Sequence, residues 1–184
     1  MPHSISRTHT QQRPSGLVSH LYARPGFLIW RAHHIAVSIF TDQCGALGIT
    51  SPQYGALCVV KELPGIDQTG VSRLAGQDRF TAALVLSNLR KRGLIVRQKG
   101  KSDRRRHSFR ISRRGLALFR RVQHRLNRGR ARLLSPFTPR EGRVFCALLT
   151  RLIVTLNKES RAPIDEDALL GAWPKLPRDG KKAR

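Results

Sequence analysis

The sequence predicts a mainly α chain that carries one small β-hairpin, an α+β fold in which helices hold a projecting pair of strands. Three observations lead there. Apolar residues recur at helical spacing in six segments, and between Ile95 and Ile111 the pattern switches to period two. Capping residues and Gly or Pro stops fall where those segments begin and end.

The first helix is expected over about Pro25 to Ala46, where Phe27, Leu28, Ile35, Val37, Ile39 and Phe40 give an apolar surface broader than one stripe. The second opens at Ser51 as N-cap with Pro52 at its first position, carries Tyr54, Leu57, Val60 and Leu63, and stops at Pro64 and Gly65. Asp67 caps a third, shorter helix holding Val71 and Leu74, and Gly76 turns the chain into a fourth that opens at Asp78. In this fourth helix Ala82, Val85, Leu86 and Leu89 form the packed face. Lys91 and Arg92 then place cations at the negative end of the helix dipole, and Gly93 stops it.

The two strands follow. Ile95 and Arg97 on one side and Phe109 and Ile111 on the other flank the loop Gln98 to Arg106, whose Lys and Arg face the single acid Asp103. Such a loop is too long for a two-residue turn and too basic to be buried. Short helix, turn, longer helix and basic hairpin together make a winged helix-turn-helix.

Beyond the hairpin, Leu116, Phe119, Val122, Leu126 and Leu133 share one side of a long helix, and Arg113, Arg121, Arg125, Arg128 and Arg132 fall largely elsewhere. The last helix opens on the capping box Thr138-Pro139-Arg140-Glu141 and runs through Val144, Phe145, Leu148, Leu149, Leu152, Ile153 and Leu156. That apolar load exceeds what one small domain buries. The first and last helices are therefore expected to pack two chains together. Residues 1–24 and 161–184 are polar or Pro-rich and predict flexible arms, the second basic with room for a short helix over Asp165–Trp173.

Charge narrows the function. The 184 residues hold 35 Lys plus Arg against 11 Asp plus Glu, a formal net charge of +24. Eighteen of those cations lie between Arg90 and Arg132, where Asp103 is the sole acid. A field so strong inside the foldable region points to a polyanion, nucleic acid ahead of a membrane surface. No apolar run reaches the roughly 18 residues of a membrane span, and the N-terminus lacks the apolar stretch of a signal peptide, so an intracellular, soluble protein is expected. Cys44, Cys58 and Cys146 are widely spaced without a Cys or His cluster, which argues against zinc and for buried reduced thiols; a single redox-sensing thiol is the alternative. No Gly-rich phosphate loop, nucleophile elbow or HExxH is present, so neither catalysis nor a cofactor is expected.

The chain contains TSPQYGAL (50–57), PGIDQTGVSRLA (64–75), DRFT (78–81), LRKRGLIVR (89–97), SDRRR (102–106) and an Ile-Ser pair followed by Gly115. On these motifs it resembles, from about residue 27 to 158, the MarR family of bacterial transcription regulators. It implies a MarR-type domain over 25–160. Within it the winged helix-turn-helix spans about 48–112, and dimerisation helices span about 25–46 and 113–158. It also implies a cytoplasmic, nucleoid-associated homodimer that binds a palindromic operator in double-stranded DNA, represses nearby genes and is released by a small ligand.

Residue by residue, the resemblance sends Arg105 of the wing into the minor groove with Asp103 orienting its guanidinium, and leaves Arg104 and Arg106 to phosphates. On the recognition helix Arg79, Phe80, Ala83, Leu84, Ser87 and Arg90 lie away from the packed face, with Thr81 near its first turn. Arg79 is the foremost base or phosphate contact, and Gln68 and Thr69 anchor phosphate. Phe80 and Leu84 depart from the small or polar residues of many relatives, and either meet thymine methyls or extend the core.

The segment RPGFLIWRAHHIAVSIF (24–40) is also similar to the first helix of relatives that control aromatic-compound catabolism. This makes Trp30, Arg31, His33, His34 and Tyr54 candidates for an aromatic acid or its thioester, with Arg31 holding the acidic group and Trp30 stacking; ordinary packing is the competing role for each. Two other readings stand beside the ligand-released repressor. One is a basic architectural or RNA-associated protein that binds without sequence preference, and the other a thiol redox-sensing regulator.

Overall fold

The computed structural model describes residues 16–99 and 107–172, and the chain divides into two units, 1–37 and 38–184. The wing tip therefore lies outside the described residues.

In the first unit α1 (Leu17–Tyr22) leads into the opening turns of α2 (Pro25–Cys44), which continues into the second unit. A helix at Leu17–Tyr22 departs from the flexible arm expected there. Its Leu17, Val18 and Leu21 supply helix-compatible apolar residues, all of them exposed. Within this unit the rings of Tyr22, Phe27, Trp30 and His34 follow one another along the chain, with centroids 5.3, 5.8 and 4.5 Å apart.

The second unit holds the core. α3 (Ser51–Glu62) is capped by Thr50 and not by Ser51 as the sequence suggested. Gln53 stands at the third helical position from Thr50, so its backbone N–H donates to the Thr50 hydroxyl while its own side-chain oxygen accepts from the Thr50 N–H. Next come β1 (Ile66–Asp67), α4 (Gln68–Ala75), α5 (Arg79–Lys91), β2 (Ile95–Lys99) and β3 (His107–Ile111). The Asp67 carboxylate accepts from Gly70 N–H at the start of α4, and Gly76, at φ 60°, ends that helix in the left-handed region. The three strands form an antiparallel sheet in the order β1-β3-β2, with Phe109 between Ile66 and Arg97.

Leu57, Val60, Val71, Leu86, Leu89, Ile95 and Val122 are buried to within about 2% of completeness, so α3, α4, α5, the sheet and the first turns of α6 (Arg113–Leu134) share one core. α7 (Pro139–Thr155) opens on the Thr138/Glu141 capping box, as its sequence requires. Residues 161–172 are ordered where 161–184 was expected to be a flexible tail, and a short helix stands within the Asp165–Trp173 stretch that had room for one. The Asn157 side chain donates to the Ile164 carbonyl and the Glu166 carboxylate and accepts from Ile164 N–H. Asp165 then pairs with Arg73 on α4 at 3.4 Å, and α8 (Glu166–Gly171) follows.

α6 begins against the foot of the wing. Ser112 donates its hydroxyl to the Gly93 carbonyl and its backbone N–H to the Leu94 carbonyl, and its hydroxyl oxygen accepts from Gly115 N–H. A Cβ at Gly115 would overlap the Leu94 carbonyl oxygen, a backbone atom with nowhere to go. Gly115→Ala is expected to lower the unfolding free energy by roughly 3 kcal/mol in urea denaturation. Wild-type stability in that variant would show that α6 can stand off from Leu94 without cost.

Candidate nucleic-acid interface

Two helix N-termini and the sheet meet around one open cleft of about 600 Å³. Asp67 and Asp78, by capping α4 and α5, fix both N-termini beside it. The Asp78 carboxylate accepts from the Thr81 hydroxyl (2.6 Å) and the Thr81 N–H (2.9 Å), and these bonds hold its carboxyl below the ordinary carboxylate range. The cap therefore contributes its stability above pH about 4 and loses it as the pH falls through the lowered value.

Five residues that the sequence assigned to DNA contact line this cleft: Gln68, Thr69, Arg79, Ser87 and Arg90. Gln68 also donates its amide to the Arg79 carbonyl at 3.4 Å, which ties the start of α4 to the start of α5. Arg97 and His107 of the sheet complete the rim, and sequence reasoning had not assigned them. The signal was present. Arg97 is two residues from Ile95, which is 1% exposed, so both belong to one face of β2, the face turned toward α5.

The remaining recognition-helix residues fall differently. Thr81 is half-buried and donates its hydroxyl proton to Asp78. Phe80 and Leu84 are 79% and 61% exposed, so they do not extend the core. Asp103, Arg104, Arg105 and Arg106 lie outside the described residues.

The aromatic-ligand candidates divide between the two units. Trp30, Arg31, His33 and His34 are exposed on α2 in the first unit, where the His34 ring meets Trp30 edge-on and the Arg31 guanidinium lies 5.7 Å from its centroid. Tyr54 belongs to the second unit. Its ring stacks on Phe119 at 5.7 Å, and burial pushes its hydroxyl above the ordinary tyrosine range. Burial also raises the thiols of Cys44 and Cys58, which favours the unreactive protonated form. Among the described residues no group of three or more His, Cys, Asp or Glu could hold a metal, and no helix is long and apolar enough to cross a membrane.

Comparison with known proteins decides the family. The chain is 31% identical to the PcaV transcriptional regulator of Streptomyces coelicolor, solved with its natural ligand, over 77% of this chain and 96% of that one, with a TM-score of 0.65. The chain belongs to the MarR family of transcription regulators.

Other similarities agree. A MarR family protein of Mycobacterium tuberculosis, Rv2887, solved with p-aminosalicylic acid, is 25% identical over 71% of this chain and 98% of that one, with a TM-score of 0.56. The repressor CouR, solved on a 23-mer DNA duplex, is 26% identical over 77% of this chain and 99% of that one, with a TM-score of 0.67. A regulator assigned to the hcr operon of Thauera aromatica is 29% identical over 105 residues, 57% of this chain and 63% of that relative, so the match spans less than two thirds of its length. No family model matches the chain. Members of the MarR family are transcriptional regulators and not enzymes, which agrees with the absence of catalytic motifs.

The raised thiol pKa values give a direct test of the redox reading. In a Cys44→Ser/Cys146→Ser background, iodoacetamide is expected to alkylate Cys58 slowly at pH 7 and to accelerate only above the ordinary thiol value of about 8.5, as followed by mass spectrometry. Fast labelling at pH 7 would identify a reactive, sensor-type thiol instead.

Proposed function

We propose that this MarR-family chain is a homodimeric repressor that binds a palindromic operator and is released by a small aromatic acid or its thioester. The observation that carries the DNA-reading part is the cleft itself: Arg79, Arg90 and Arg97 ring a groove that adjoins the outward face of α5, with two helix N-termini beside it. Cations and helix N-termini suit phosphates, and a free helix face suits base edges. Gln68 and Thr69 anchor one backbone, and Arg79, Ser87 and Arg90 serve the groove wall. In the wing, Arg105 enters the minor groove, Asp103 orients it, and Arg104 and Arg106 meet phosphates.

The apolar load of the outer helices supports the dimer. Leu28, Ile29 and Ile35 of α2 are each about half exposed, and so are Val144, Leu148 and Ile153 of α7 and Leu156 at its C-cap. Surfaces this apolar favour a second copy over water, and a two-fold axis would carry two recognition helices to successive major grooves. The aromatic effector is supported by the p-aminosalicylic and salicylic acids bound by Rv2887 and by the chemistry of α2, where Trp30 offers a stacking surface, Arg31 a charge, and His33 and His34 polar edges. Tyr54 is a further candidate, neutral at physiological pH.

The experiment is a titration against DNA upstream of the chain's own gene, with a scrambled duplex as control, at several salt concentrations and with phenolic acids and their thioesters. Binding to one palindromic site is expected to exceed bulk binding by about 10³ or more and to be relieved by one aromatic compound. Arg105→Ala is expected to weaken operator binding by about 1 to 3 kcal/mol, and Arg97→Ala to lower the salt slope by about 1. Equal, steeply salt-dependent binding to every duplex would replace this reading with that of a basic architectural protein.

A further inference from the structure

Phe80 and Leu84 stand one helical turn apart on the outward face of α5, and nothing in the described structure covers either. The core beneath them is complete without them, since Ala82, Val85, Leu86 and Leu89 fill the packed face of the same helix. A phenyl ring and an isobutyl group held in water on a helix are an unfavourable arrangement that burial against an apolar surface would relieve.

The neighbouring charges say what kind of surface that is. α5 contains Arg79, Arg90 and Lys91 and no acidic residue, and Arg97 stands on the sheet across the cleft. A second copy of α5 would bring like charges together, and an apolar lipid surface offers no reason for the polar cleft next door. The partner must be a polyanion that also presents apolar groups at the depth a helix reaches. In duplex DNA the major groove admits a helix, and its apolar feature is the C5 methyl of thymine.

We infer that Phe80 and Leu84 are specificity-determining residues that read thymine C5 methyl groups in the major groove, while the surrounding cations hold phosphates. The inference rests on the DNA-reading function proposed above and adds to it the identity of the bases. Spacing adds a further constraint. Four residues advance a helix by about 6 Å, close to two base-pair steps of roughly 3.4 Å, so a helix lying along the groove sets the two methyls about two steps apart, on one strand or on opposite strands. The contact is blind to the hydrogen-bonding edge of the base, because neither side chain donates or accepts.

The test uses the whole protein and an operator obtained by selection from random duplexes. Each thymine of the selected site is then replaced by uracil, which removes the methyl and keeps every hydrogen-bonding group. Replacement at two positions about two steps apart is expected to weaken binding by about fourfold each, the value of one methyl-sized apolar group, with the other positions silent. Phe80→Ala and Leu84→Ala are each expected to fold normally, as both sites are exposed, and each to lose the discrimination between thymine and uracil at one of the two positions. Selective binding that is unchanged by uracil everywhere would overturn the inference and leave the regulator reading intact. Uracil sensitivity that persists in both variants would likewise overturn the assignment. Failure of selection to return any preferred site would overturn both the inference and the reading beneath it.

Discussion

The geometry of the DNA-reading head depends on the close approach of α6 to Leu94. Gly93, at φ 67°, ends α5, Leu94 is 2% exposed, and the Leu94 carbonyl accepts the Ser112 N–H that starts α6. Only a residue without Cβ fits at position 115. Three elements are thereby fastened within a few ångströms: the end of the recognition helix, the first residue of the wing and the beginning of the longest helix. α5 itself is oriented by its packing against α3, α4 and β2, and the contact at Leu94 fixes where α6 leaves that packed head. A packed contact of this kind has little compliance, so the end of α5 and the start of α6 are held in register.

Charge works against the same helix. α6 carries many arginines and no acid, so its own residues repel along the exposed side. Two contacts offset part of this. Arg132 pairs with Asp42 at 2.8 Å, and Arg125 donates to the Gln43 carbonyl at 3.0 Å, both onto the end of α2. The exposed ion pair contributes little in water, and a single carboxylate cannot balance the rest. The protein is therefore built for an environment rich in anions.

Most of the fold was legible because its punctuation is local. Asp67, Asp78, Ser112 and Thr138 cap their helices through contacts three residues away, and Gly76 and Gly93 stop theirs by positive φ, all of which a linear reading can see. What escaped depends on distant partners. β1 is two residues long and exists because Ile66 and Asp67 find Phe109 and Ser108, some forty positions away. The short helix at Glu166–Gly171 was legible, since Asp165 caps it three residues away, but the ties that Asn157 and Arg73 make to residues 164–166 are ones no local pattern announces. In the interface, the outward residues of α5 were legible because a helix with one apolar face has one other face. Arg97 was read as part of the hairpin's alternating pattern, and its place on the cleft became visible only once the strand lay against α5. The fate of Phe80 and Leu84 could not be read at all, since an apolar residue beside an apolar face belongs to the core or to a partner, and only exposure separates the two.

In the proposed complex two kinds of attraction would act on one DNA site and respond oppositely to conditions. Phosphate contacts from Arg79, Arg90, Arg97 and the wing would gain from counterion release and weaken steeply with salt, largely whatever the sequence. Contacts from Phe80 and Leu84 would gain from leaving water and hold or strengthen as salt rises. At low salt the cations dominate, and a chain of net charge +24 clings to any duplex. As the ionic strength approaches physiological values the uniform term shrinks while the apolar term persists, so the ratio of specific to non-specific binding grows. An apolar recognition face suits a protein this basic, because it supplies a source of selectivity that screening does not erase.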